Sequence, residues 1–276
     1  MNGGSRASVT GAFTTADGTE LFTRHWECAA PRARMLIIHG IGEHSGRWEH
    51  VGAYFAGAGF DVRSYDQRGH GRTSDGPVDI ESFDLFLDDI EEQVSGMDAP
   101  VVIYGHSMGG LIATAYAESD RPQSDLYVLS APALSASVPA VLRLAATVLS
   151  KVSPGLAMKN SIKGEHISRD PAVAEAYFAD PFVYEKATTR FGSEFLTAMD
   201  RTREAVDRIR KPTLVIHGAN DELVPPAASA PLAAVPSVER KLFPGLRHEI
   251  HNEPEQEEVF GFVAAWLNDQ LAADAS

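Results

Sequence analysis

Short apolar runs alternate along this chain with stretches whose apolar residues recur every three or four positions. Met35-Leu36-Ile37-Ile38, Phe60 to Tyr65, Val101 to Tyr104, Asp125 to Ser130, Thr213 to His217 and Val238 to Phe243 read as short strands. Between them the spacing predicts helices. One runs from about Arg47 to Gly57 on Trp48, Val51 and Phe55, and one from Ile80 to Val94 on Phe83, Phe86, Leu87 and Ile90. A last helix covers Gln256 to Leu271. Before the first apolar run, Ser8 to Thr14 and Glu20 to Glu27 form a hairpin around the turn Ala16-Asp17-Gly18. Strands that alternate with helices imply an α/β architecture with a mostly parallel central sheet and right-handed crossovers. In such sheets ligands bind beyond the C-terminal strand ends.

The alternation breaks after the sixth strand. From about Ala133 to Arg208 only helical patterns appear: Ser135 to Ser153, Pro171 to Phe178 and Glu194 to Ile209. The chain therefore divides into a core over 8–132, a helical cap over 133–208, and the rest of the core over 209–272. The first cap helix is apolar, with Arg143 and Lys151 as its only charges. It suits either contact with lipid or burial against its own domain.

Composition narrows the partners. The 276 residues carry a net charge of −14, which argues against nucleic-acid binding and against attraction to anionic membranes. Any membrane or micelle contact is then expected to be apolar and transient, through the cap. The oligomeric state is left open. Cys28 is the single cysteine, so neither an intrachain disulfide nor a cysteine zinc site can form. No uncharged apolar run reaches the length of a membrane span, and the start has no basic-plus-apolar leader. A cytoplasmic protein is the default expectation, with signal-independent secretion still open.

The chemistry centres on Gly105-His106-Ser107-Met108-Gly109, set between the strand Val101–Tyr104 and a helical run from Leu111 to Ala117. A serine at the apex of a strand–turn–helix is the context of a nucleophile elbow. The turn is expected to strain Ser107, and the flanking glycines to let strand and helix backbones approach. A serine hydroxyl needs a base, and the base needs an orienting acid, in the chain order Ser, Asp or Glu, His. Asp221, just past the strand Thr213–His217, is the candidate acid, with Glu222 as fallback. His248, between the last strand and last helix, is the candidate base, with His251 second. An oxyanion hole would use the main-chain N–H of Met108 and that of Ile41, which lies between Gly40 and Gly42. The pair His248 and His251 is one residue short of the His-Glu-x-x-His zinc spacing, so no metal and no cofactor is expected.

The motifs His39-Gly-Ile-Gly-Glu-His-Ser-Gly-Arg47, Asp66-Gln-Arg-Gly-His-Gly71 and Gly105-His-Ser-Met-Gly-Gly110 extend the picture. So do Ser168-Arg-Asp-Pro171, Ala179-Asp-Pro181, Gly218-Ala-Asn-Asp221 and His248-Glu-Ile-His251. With these, nearly the whole chain resembles α/β-hydrolase fold serine hydrolases of the monoacylglycerol lipase and lysophospholipase family. The resemblance implies Ser107, Asp221 and His248 as the triad. It also implies that Glu43, Arg47 and His251 line a polar pocket for the alcohol part of an ester, although Glu43 and Arg47 equally suit an ion pair that braces the oxyanion loop. The expected activity is hydrolysis of monoacylglycerols to glycerol and fatty acid. A lysophospholipase or a short- to medium-chain carboxylesterase is the alternative, and a non-catalytic binding protein on the same fold is a third reading.

Overall fold

A computed structural model describes residues 7–98, 100–135, 140–160 and 162–273. The hairpin β1 (Val9–Thr14) and β2 (Glu20–Trp26) leads into β3 (Ala33–Ile38), α1 (Glu49–Gly57), β4 (Phe60–Tyr65) and α2 (Asp84–Ser95). Then come β5 (Val101–His106), α3 (Met108–Ala117) and β6 (Leu126–Ser130). After a long excursion, β9 (Thr213–Gly218), β10 (Val238–Phe243) and α8 (Gln256–Ala273) complete the chain. Eight strands form one sheet in the order β1-β2-β4-β3-β5-β6-β9-β10. Its pairings are parallel from β4 to β10 and antiparallel at β1–β2 and β2–β4, so β2 alone runs against the other strands.

The sheet is buried on both faces, which is why its central strands read as unbroken apolar runs rather than as alternation. The faces still separate with period two. Leu36, Ile38 and Ile103 point into the layer filled by Phe86, Ile90, Leu111 and Ile112 of α2 and α3. Met35, Ile37, Val102 and Tyr104 point into the layer filled by Val51, Phe55, Phe260 and Val263 of α1 and α8.

Between β6 and β9 lie α4 (Ala140–Val152), α5 (Gly164–Ile167), α6 (Pro171–Ala179) and α7 (Thr189–Ala205), with a small antiparallel pair, β7 (Ala157–Lys159) and β8 (Lys186–Thr188). Positions 136–139 of the expected first helix lie outside the described residues. The pair β7–β8 departs from the expectation of helices alone, and among the shifted boundaries two have a visible cause. The helix expected from Ile80 begins only at Asp84, because the chain just before it is held extended: Val78 pairs with β8, its N–H donating to Lys186 and its carbonyl accepting from Thr188. The helix α7 starts five residues earlier than its apolar pattern, because the Thr188 side chain accepts from the Phe191 N–H and caps it.

Candidate active site

The end of β5 delivers Ser107 at φ 54° and ψ −113°, a left-handed conformation that non-glycine residues rarely adopt. The turn is tight because α3 leaves at once. A Cβ on Gly109 would collide with the Ile38 carbonyl, and one on Gly105 with the Gly109 carbonyl. Ser107 is held at both ends: its N–H donates to the Ser130 carbonyl, and its own carbonyl accepts from Leu111 and Ala133. Ser107 is thus presented with its hydroxyl at the N-terminus of α3.

The loops after β9 and β10 bring the other two groups to the same strand end. His248 Nε2 lies 2.9 Å from Ser107 Oγ, and His248 Nδ1 lies 2.7 Å from Asp221 Oδ2. All three are buried. Asp221 Oδ1 accepts the N–H groups of Leu223 and Val224, each at 2.9 Å. Burial opposes charge on Asp221, yet the His248 charge and the hydrogen bonds of His217, His248 and Val224 hold its pKa below the usual carboxylate value. Burial likewise opposes an imidazolium at His248, and Asp221 outweighs it, so the His248 pKa is raised above 6.5. The alternatives sit elsewhere: Glu222 is exposed and pairs with His166 at 3.1 Å, while His251 is fully buried.

Sequence reasoning passed over His217 and Glu249. His217, at the end of β9, lies 3.1 Å from Asp221 Oδ2 through Nε2 and 2.9 Å from Ser229 Oγ through Nδ1. A histidine inside an apolar strand carried no local sign of this contact. Glu249 accepts two hydrogen bonds from Arg47 at 2.7 Å, and Arg47 also donates to Glu43 at 2.9 Å. Glu43 in turn accepts the Gly40 N–H at 2.6 Å, bracing the loop that carries Ile41. His39 supports the same loop. Burial lowers its pKa to about 3, and the neutral ring meets the Gln67 N–H at 3.0 Å and the Gly40 carbonyl at 2.8 Å. Within the two-carboxylate cluster, burial raises the pKa of Glu43, whereas the Arg47 charge overcomes burial at Glu249 and brings it down to about 2.

A cavity of about 210 Å³ opens above Ser107. Its lining combines Glu43, His106, Tyr177, His248 and Glu249 with the apolar side chains of Ile41, Ile162, Ile167, Phe195, Met199, Leu223 and Val224. Met108 is the first residue of α3, whose N–H has no intrahelical acceptor. Of the three residues expected to form a polar alcohol pocket, Glu43 lines this cavity; Arg47 and His251 do not. Arg47 is drawn behind the wall by Glu43 and Glu249. His251 is stacked on Trp48 at 4.1 Å, with neither ring nitrogen hydrogen-bonded, because the aromatic packing of the core takes its ring.

A family described as serine aminopeptidase, S33 (Hydrolase_4) matches residues 29–255. The chain belongs to that family. Within it, the chain is 36% identical over 253 residues to a monoacylglycerol lipase of Mycolicibacterium smegmatis, covering 87% of this chain and 90% of the relative. It is 30% identical to the human monoglyceride lipase, covering 93% and 89%. The crystal structure of a monoacylglycerol lipase from Paleococcus ferrophilus superposes with a TM-score of 0.82 at 31% identity, over 91% of this chain and 99% of that one. The eight-stranded, mostly parallel sheet with flanking helices is the α/β-hydrolase fold of the Hydrolase_4 family. Among the described residues, no helix is long and apolar enough to cross a membrane, and no group of His, Cys, Asp and Glu is arranged to hold a metal ion.

Proposed function

We propose that this protein is a serine ester hydrolase that cleaves monoacylglycerols to glycerol and free fatty acid. The observation that carries the proposal is the continuous contact from Ser107 Oγ through His248 to Asp221, at 2.9 and 2.7 Å, at the base of a cavity with an apolar wall. Monoacylglycerol lipases of similar length and sequence support the substrate.

In this reading His248 takes the Ser107 proton as the hydroxyl attacks the ester carbonyl. Asp221 keeps the Nδ1–H of His248 in place, so that Nε2 is free to accept. The tetrahedral oxyanion forms between the N–H groups of Ile41 and Met108; one such donor contributes about 2.7–4 kcal/mol in comparable sites. His248 then protonates the leaving glycerol oxygen and activates the water that releases the acid. The acyl chain lies along Phe195, Met199 and Val224.

The segment over 133–208 acts as a cap. Two main-chain contacts support that division: the Glu249 N–H donates to Ile167, and the Tyr184 N–H donates to Gly42. We also propose a cytoplasmic location and transient contact with lipid surfaces through the cap; the exposed Val148, Val152, Leu156 and Met158 support the lipid contact.

The test is hydrolysis of 1-decanoylglycerol by wild type and Ser107→Ala, beside labelling with a fluorophosphonate. Wild type is expected to turn over the ester and to be labelled, and the variant to do neither. An active or labelled Ser107→Ala enzyme refutes the assignment.

A further inference from the structure

A second strained backbone position stands beside the nucleophile. Among the described residues two non-glycines have positive φ, Ser107 at 54° and Ala131 at 45°. They lie in different turns, one after β5 and one after β6, yet the two turns are bonded to each other. The Ser107 N–H donates to the Ser130 carbonyl at 2.9 Å, and the Ala133 N–H donates to the Ser107 carbonyl at 3.0 Å. Both peptide groups of Ser107 are therefore held by the residues that flank Ala131-Pro132. The Ala131 N–H itself donates at 2.9 Å to the Ile216 carbonyl on β9, the strand whose following loop carries Asp221. The helix behind Ser107 packs directly on this turn, since a Cβ on Gly110 of α3 would lie 2.8 Å from Pro132 Cα.

Nothing local asks for the left-handed conformation at 131. A residue with a Cβ is strained there, and a following proline favours extended backbone at the position before it. Such strain persists only where the surrounding structure over-determines it. The hydrogen bonds to Ser107 and Ile216 and the burial of Ala131 do so here. An extended residue 131 would carry the chain onward from β6, and the Ala133 N–H could not turn back onto Ser107. The contact that depends on this is the 2.9 Å from Ser107 Oγ to His248, and a misplacement of about 1 Å in a reacting geometry can cost about a hundredfold in rate.

We propose that Ala131 is a positioning residue: its left-handed turn clamps the nucleophile elbow and ties it to β9, so that the reach of Ser107 to His248 depends on the backbone at 131. The proposal rests on the ester-hydrolase reading above and adds to it a residue that touches no substrate.

The test compares Ala131→Asn with Ala131→Thr. The two side chains are similar in size and both polar, so their cost at a buried site is alike, but asparagine tolerates the left-handed region and β-branched threonine does not. Two rates are read on enzymes shown to be folded by circular dichroism: kcat for 1-decanoylglycerol, and the rate constant for fluorophosphonate labelling of Ser107, which needs no acyl-chain binding. Both are expected to be at least about tenfold lower in Ala131→Thr than in Ala131→Asn, with KM equal within about twofold. Ala131→Gly, which adopts positive φ freely, is expected to keep both rates within about threefold of wild type. Equal rates in folded Asn and Thr variants, or a fall in KM terms alone, overturn the clamp. If Ala131→Thr does not fold, the other two variants decide: an Ala131→Asn enzyme labelled more than about tenfold slower than Ala131→Gly, or one that also fails to fold, assigns the site to side-chain volume and overturns the clamp. Wild type that neither turns over the ester nor is labelled refutes the ester-hydrolase reading itself, whereas an active wild type with indifferent variants refutes the clamp alone.

Discussion

Asp221→Asn is the perturbation that asks most of the proposed mechanism. Asp221 accepts from four donors: Leu223 N–H and Val224 N–H at Oδ1, and His248 and His217 at Oδ2. An asparagine can keep its carbonyl oxygen on the two main-chain donors, and the fold then survives. Its amide NH₂ must turn toward His248, where it donates to Nδ1. That forces the His248 proton onto Nε2, the nitrogen 2.9 Å from Ser107 Oγ, and the base can no longer accept. The comparable loss in a serine protease is about 10⁴ in kcat, or about 5.4 kcal/mol of transition-state stabilisation.

The pH profile carries a second sign. Activity needs neutral His248, and Asp221 raises its pKa above 6.5 against the effect of burial. The acid limb of wild-type kcat/KM is therefore expected above pH 6.5, with activity rising as pH rises. In Asp221→Asn the attraction is gone and burial remains, so the limb moves to lower pH. The assay is kcat/KM for a neutral ester such as 1-decanoylglycerol from pH 5 to 9, with circular dichroism to confirm the fold and Glu222→Gln as the control. Glu222→Gln is expected to stay within about twofold of wild type, since surface carboxylates contribute little. A folded Asp221→Asn enzyme within tenfold of wild type, or one whose acid limb does not move, refutes the assigned role of Asp221.

Two further outcomes follow from neighbouring contacts. His217→Leu removes the second donor to Asp221 Oδ2; we expect about a tenfold fall in kcat with KM unchanged. His217→Gln, whose amide can still donate, recovers part of that loss; equal loss in both variants would assign His217 to packing alone. Gly109→Ala sets a methyl group against the carbonyls of Ile38 and His39, both main-chain atoms that cannot swing away. We expect about 3 kcal/mol of destabilisation, read as a fall in Tm of about 6–12 °C, and a melting curve at the wild-type temperature would contradict the close approach of α3 to β3.

Much of this architecture is legible in local patterning. A strand buried on both faces must be apolar throughout, a surface helix must be apolar every three or four residues, and a sharp strand-to-helix turn must have glycine where backbones meet. These constraints act on neighbours in the chain, so β3 to β6, β9 and β10, the elbow at Ser107 and the loops holding Asp221 and His248 all show in the order of residues. Boundaries set by distant partners do not show: Val78 is extended because β8 lies beside it, and α7 starts where Thr188 caps it.

The same division runs through the site. By itself the sequence determined the elbow, the order Ser, Asp, His and the glycine-flanked loop around Ile41, since each depends on where a loop follows its own strand. Only the tertiary structure decided which charges meet. Glu249 stands 202 residues from Arg47 in the chain, yet it draws that guanidinium behind the cavity wall together with Glu43. His251 goes to the stack on Trp48, and His217 reaches Asp221 from within a strand. Such pairings are chosen by burial. A charge or imidazole removed from water must find whichever partner the folded chain brings within hydrogen-bonding distance, and no short stretch of sequence names that partner in advance.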